Sequence, residues 1–162
     1  MPAMTVDELQ RFLVGSFPEA PPTYVVEAVG DDGVRLRLPT TPFHGRPGGT
    51  VSGPALMALA DCTAWMAIVS RIGPVPLSVT TSLHIDFLRR PDLVDVVADG
   101  VLLKVGRRLA VAEVAMRSAG APEVVAKAQV TYSIPPDGTG RAGGADGPAE
   151  PVGPAPGAGS PG

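Results

Sequence analysis

The chain has 162 residues, 44% of them hydrophobic, and 13 basic against 16 acidic side chains give a net charge of -3. This is one domain, or one domain with a tail, with enough apolar side chains for a real core and none of the concentrated basic surface that nucleic-acid binding needs. The single cysteine, Cys62, excludes an internal disulfide and suits a reducing compartment. With no charged segment leading into an apolar core at the N-terminus, a soluble cytoplasmic protein is expected.

Residues 4–15 (MTVDELQRFLVG) place Met4, Leu9, Phe12 and Leu13 near one helical face. Thr5 or Asp7 can cap the start, and Gly15 with Pro18, Pro21 and Pro22 marks the exit. Residues 23–29 and 33–38 read as a β-hairpin around Gly30-Asp31-Asp32-Gly33, with Val34, Leu36 and Leu38 alternating against Arg35 and Arg37. After Pro39, a loop leads into the most unusual stretch of the chain.

That stretch, Arg46–Arg71, opens with glycines and enters a helix at Pro54, with Ser52 or Gly53 as cap. From Ala55 to Val69 it is apolar nearly all round, so it belongs inside the protein. At about 16 residues, with a carboxylate near its middle, it suits a buried core helix better than a membrane span. Asp61 is that carboxylate, and its neighbours one turn away are Met57, Ala58, Ala64 and Trp65. Burial with no cation disfavours the charged form, which is one way a carboxylate becomes a general base; the plainer alternative is a structural carboxylate bonded to a backbone group. Cys62 points about 100° away around the helix and reads as a small buried residue rather than a nucleophile.

Residues 77–88 alternate, with Thr81, Leu83, Ile85 and Phe87 on one face and Thr80, Ser82, His84 and Asp86 on the other. Three further strands are predicted at 93–104, 109–118 and 123–133, forming an antiparallel meander. In the last, Val124, Ala126, Ala128, Val130 and Tyr132 share one face. Of the final 28 residues, 21 are Gly, Pro or Ala, a composition that cannot bury enough surface to order itself. The expected division is therefore a folded domain over 1–134 and a disordered tail over 135–162. Two isolated histidines and one cysteine offer no metal-ligand cluster.

The order of elements fits an α+β fold in which about six antiparallel strands wrap one long helix and leave an edge for a second copy. Three stretches then resemble the PaaI-type acyl-CoA thioesterases of the hotdog fold. The segment Arg46-Pro47-Gly48-Gly49-Thr50-Val51-Ser52-Gly53-Pro54, followed by Leu59-Ala60-Asp61, is similar to the family's N-P-x-G-x-x-H-G-G and L-x-D. Val79–Pro91 is similar to V-T-x-x-L-x-I-x-F-L-R-P, and Gly106-Arg107-Arg108 to the family's G-R hairpin.

The resemblance implies hydrolysis of acyl-CoA or aryl-CoA thioesters at a dimer interface, with no cofactor beyond the coenzyme A of the substrate. Asp61 would be general base or nucleophile, the Gly53 N–H an oxyanion donor at the helix start, and Thr80 a holder of the attacking water against a partner subunit's carboxylate. Arg46 stands where the family has Asn or Gln, and Ser52 where it has His. Arg46 can polarise the carbonyl, contact phosphate or sit solvated in a loop, and Ser52 can serve as the helix cap. His44 offers a replacement for the family's His or is a plain loop residue, and His84 reads as a surface residue. Leu56, Met57, Leu59 and Trp65 are candidates to line the acyl pocket. Arg89, Arg90, Lys104, Arg107 and Arg108 can hold phosphate or simply keep hairpins soluble, with Arg89, Arg107 and Arg108 the preferred substrate contacts. A homodimer, assembling further to a tetramer, is expected. Two other activities remain open: dehydration or hydration of acyl thioesters, and binding of acyl-CoA without turnover.

Overall fold

A computed structural model of the chain describes residues 1–136; the expected Gly/Pro/Ala-rich tail, from residue 137 on, lies outside the described residues. Helix α1 (Val6–Gly15) starts at Thr5, whose side chain accepts from Glu8 N–H while Glu8 reaches back to the Thr5 N–H, closing a capping box. Strands β1 (Val25–Val29) and β2 (Gly33–Leu38) form the expected hairpin. A 3-10 turn at Pro42–His44 then leads into a miniature hairpin, β3 (Gly45–Arg46) with β4 (Thr50–Val51), in the segment read from sequence as a loop. Its turn needs glycine: Gly48 and Gly49 sit at φ 97° and 69°, where a side chain would be strained. The hairpin is pinned to residues 91–93, with Val51 N–H donating to the Pro91 carbonyl and Leu93 N–H to the Gly49 carbonyl.

Helix α2 (Gly53–Ile72) runs 20 residues, longer than the apolar pattern alone defines. Ser52 caps it, its Oγ accepting from Ala55 N–H at 3.3 Å. The helix is long and apolar enough to cross a membrane by composition, yet most of it is buried inside the fold. Strands β5 (Val79–Phe87), β6 (Val96–Val105), β7 (Leu109–Ser118) and β8 (Val124–Ser133) complete an antiparallel sheet in the order β1-β2-β6-β7-β8-β5. This sheet curls round α2. Its inner face presents Val34, Leu36, Leu38, Val96, Ala98, Ala112, Val114, Met116, Ala128 and Val130, all buried, to the helix. Gly100 marks the closest approach, because a Cβ there would stand 2.8 Å from Thr63 Cγ2.

One irregularity matters for the site. Thr80 pairs with Tyr132 and Ser82 with Thr131, so Thr81 bulges out of the β5–β8 ladder. Strict alternation groups Thr80 with the outward-facing Ser82, His84 and Asp86. The bulge instead returns Thr80 to the helix side, on the face shared by Leu83 and Ile85.

Candidate active site

The sheet does not close around α2. In the gap between the segment leading into β1 and the start of β5 lies a cavity of about 600 Å³. Phe17, Tyr24 and Trp65 give it aromatic walls, Ala20, Pro22, Ala58, Pro76 and Val79 add apolar surface, and Asp61, Cys62, Thr80 and Tyr132 bring polar atoms. Trp65 is held in place by its Nε1–H donating to Ser78 Oγ at 3.0 Å and by ring contacts with Phe12 and Phe17.

Asp61 is half-buried rather than enclosed, and its surroundings are not purely apolar as the helix sequence suggests. Thr80 Oγ1 donates to Asp61 Oδ1 at 2.7 Å, and Tyr132 Oη donates to the same oxygen at 2.8 Å. Tyr132 Oη also lies 3.2 Å from the Asp61 carbonyl oxygen. Oδ2 makes no hydrogen bond among the described residues and is not sealed from the cavity. Thr80 thus meets the carboxylate of its own chain, where the resemblance implies one from a partner subunit.

Burial, with the Asp61 charge adding to it, pushes the Cys62 thiol up to about 12. Burial likewise pushes Tyr24 up to about 12, and raises Tyr132 well above the ordinary phenol range. All three therefore stay protonated near neutral pH, and Cys62 is no thiolate nucleophile.

A second cavity, of about 610 Å³, opens at the other end of the exposed α2 face. Gly53, Leu56, Phe87 and Leu88 line it together with Arg46, Arg89 and Arg90. The Gly53 N–H has no acceptor among the described residues, as expected for the first residue of a helix. Arg90 donates to the Gly48 carbonyl and Arg89 to the Val124 carbonyl at 2.9 Å, so both guanidiniums are anchored by one nitrogen.

The predicted residues therefore divide. Asp61, Thr80 and Trp65 meet at the first cavity; Gly53, Arg46, Leu56 and Arg89 meet at the second. Leu59 is fully buried in the core, and Met57 is exposed on the same face of α2 as Gly53 and Asp61, one turn from each, without lining either cavity. Arg107 and Arg108 stand exposed at the tip of the β6–β7 hairpin, also outside both. His44 Nδ1 accepts from Thr41 N–H at 3.0 Å and so closes the 3-10 turn, while exposed His84 lies 3.4 Å from Asp86. Tyr132, Tyr24 and Phe17 were not singled out from sequence. The signal for Tyr132 was present: a phenol ending an inward-facing row of Val and Ala needs a buried partner for its hydroxyl.

The model of the thioesterase superfamily matches residues 48–132, more than half of the chain, and the chain belongs to that superfamily. The wrapped helix and six-stranded antiparallel sheet are its hotdog fold. Among solved structures, a Silicibacter sp. TM1040 protein provisionally described as a thioesterase is 36% identical. The match covers 84% of this chain and 95% of that one, with a TM-score of 0.78. Zebra fish thioesterase superfamily member 2 is 20% identical over 82% of this chain and 100% of that one, TM-score 0.72. A phenylacetic acid degradation-related protein of Ralstonia eutropha JMP134 is 22% identical over 76% and 98%, TM-score 0.65; these two speak for the fold alone. Among curated proteins, none matches the sequence significantly.

Proposed function

We propose that the protein hydrolyses thioesters between coenzyme A and an acyl or aryl acid. The observation that carries this reading is Asp61: a carboxylate in an aromatic-walled cavity, one oxygen fixed by two hydroxyls and the other open, in a chain of the thioesterase superfamily. The acyl or aryl group lies against Phe17, Tyr24 and Trp65. Asp61 Oδ2 takes a proton from water, the water oxygen bonds to the thioester carbon, and the C–S bond then breaks. The leaving thiolate has a conjugate acid with a pKa of about 8.5, so Ser52, acting as helix cap, need not supply a proton.

Negative charge on the carbonyl oxygen is met by the unpaired N–H at the start of α2. Gly53 and Asp61 of one chain cannot both reach one carbonyl, since eight helical residues separate them by about 12 Å and they open into different cavities. The active unit in this reading is therefore a homodimer, in which the helix start of one protomer faces Asp61 of its partner. Arg46, Arg89 and Arg90 beside that helix start suit the phosphates of coenzyme A. Exposed Val101, Leu103 and Leu109 on the outer sheet face offer a surface for pairing dimers into a tetramer.

The test is release of free thiol from a panel of acyl- and aryl-CoA thioesters by wild type and Asp61→Asn. Turnover that falls at least about a hundredfold in the variant supports the reaction and the role of Asp61. Turnover that survives removes Asp61 from the mechanism, and coenzyme A ester binding without turnover replaces the hydrolase with a binding protein.

A further inference from the structure

We infer that Tyr132 is a positioning residue for Asp61, its hydroxyl sharing Oδ1 with Thr80 so that the carboxylate presents only Oδ2 to the cavity. The inference rests on the hydrolase reading above and adds a residue which that reading does not require.

The geometry comes from three elements. Tyr132 ends the inward row of β8, is 4% exposed, and stands in register with Thr80 on β5 and Ala110 on β7. Asp61 approaches from the third turn of α2. Without the bulge at Thr81, the two hydroxyls would lie on opposite faces of the sheet; with it, both converge on one carboxylate oxygen.

What surrounds Asp61 explains why this is needed. The titratable groups lining the cavity are Cys62 from α2, Tyr24 from the segment before β1 and Tyr132 from β8; β5 contributes Thr80. None is a cation. Within one protomer, no arginine, lysine or backbone N–H among the described residues donates to the Asp61 carboxylate. Two neutral donors on one oxygen do the work instead. Because burial keeps the Tyr132 phenol protonated, its hydrogen bond has one sense, phenol to carboxylate, and Tyr132 cannot compete with Asp61 for the proton of water.

Kinetics of the full-length chain test this with Tyr132→Phe, alone and combined with Asp61→Asn. In Tyr132→Phe, kcat falls roughly ten- to a hundredfold, the value of one hydrogen bond to a charged group, while KM stays within about twofold. In the Asp61→Asn background the same substitution changes kcat by less than about twofold, because Tyr132 acts through the carboxylate. A Tyr132→Phe variant with wild-type kcat overturns the inference, as does an equal loss in both backgrounds. If instead Asp61→Asn keeps wild-type turnover, the hydrolase mechanism fails rather than the hydrogen bond.

The bond itself is read without substrate. The hydroxyl proton of Tyr132 is expected as an exchange-protected NMR resonance, absent in Tyr132→Phe and displaced in Asp61→Asn. A resonance indifferent to Asp61→Asn overturns the inference even if no thioester is turned over.

Discussion

At the β1 edge of the sheet, a side chain takes the peptide groups that would otherwise face solvent. Gln10 on α1 accepts from Val26 N–H at 2.7 Å and donates to the Tyr24 carbonyl at 3.1 Å, so one amide stands in for a neighbouring strand. At the β5 edge, no described residue plays that part, and Leu77, Val79, Phe87 and Leu88 around it are each more than half exposed. An unpaired edge flanked by apolar surface is usually blunted by charge, proline or a covering element. Here one edge is finished within the chain and the other stays uncovered among the described residues, and the Asp61 cavity lies in the gap between them.

The contrast is broken most strongly from the β5 side. Ser82 and His84 face outward and are exposed, so Ser82→Glu with His84→Glu leaves the monomer core untouched. Beside Asp86, these residues place like charges on a strand that would meet its own copy. Self-association is expected to weaken by about a hundredfold, with thioester turnover falling alongside, as measured by sedimentation equilibrium and thiol release. A dimer of unchanged affinity would move the association surface elsewhere.

The β1 side responds as folding stability. Gln10→Leu keeps the volume but strands the Val26 N–H and the Tyr24 carbonyl, costing about 1–3 kcal/mol in a urea titration with no change in oligomeric state. A variant as stable as wild type would mean that water serves this edge equally well.

The gap gives the smallest effect. In the unfolded chain the Cys62 thiol titrates at about 8.5, whereas in the folded protein burial pushes it up to about 12. Above about pH 8.5 the unfolded chain loses a proton that the folded chain keeps, so stability falls as pH rises. By pH 9 the loss from this group is about 1 kcal/mol. Cys62→Ala should flatten the decline between pH 7 and 9 in parallel urea titrations; an unchanged slope assigns the decline to other groups.

Much of the fold was legible because its signals are local. The alternation of Val34, Leu36 and Leu38 and the apolar run after Pro54 each reflect one element meeting one core, whereas the sequence left the cap of α1 open between Thr5 and Asp7. What escaped depends on pairing between distant segments. Thr80 belongs to the outward set by its own sequence, and only the register with β8 turns it inward. The β3–β4 hairpin is too short to show a period, being held by Pro91 and Leu93 rather than by its own pattern. Within the candidate site, Asp61 stood out as a lone carboxylate on an apolar helix. That Gly53 opens into a different cavity follows from helix length and the position of β5, neither of which a motif records.

The strand order also sets when the site can exist during folding. Strands β6, β7 and β8 are neighbours in sequence and in space, whereas β5 comes before them and pairs beyond β8. The hydroxyl contacts to Asp61 span 19 residues from Thr80 and 71 from Tyr132. Closing such loops is slow compared with forming hairpins. The carboxylate is therefore left ungripped until the final described strand has been made and docked. After dilution from denaturant, activity is expected to follow the return of sheet structure rather than precede it, and a nascent chain that ends before β8 carries Asp61 with neither Tyr132 nor the strand that aligns Thr80.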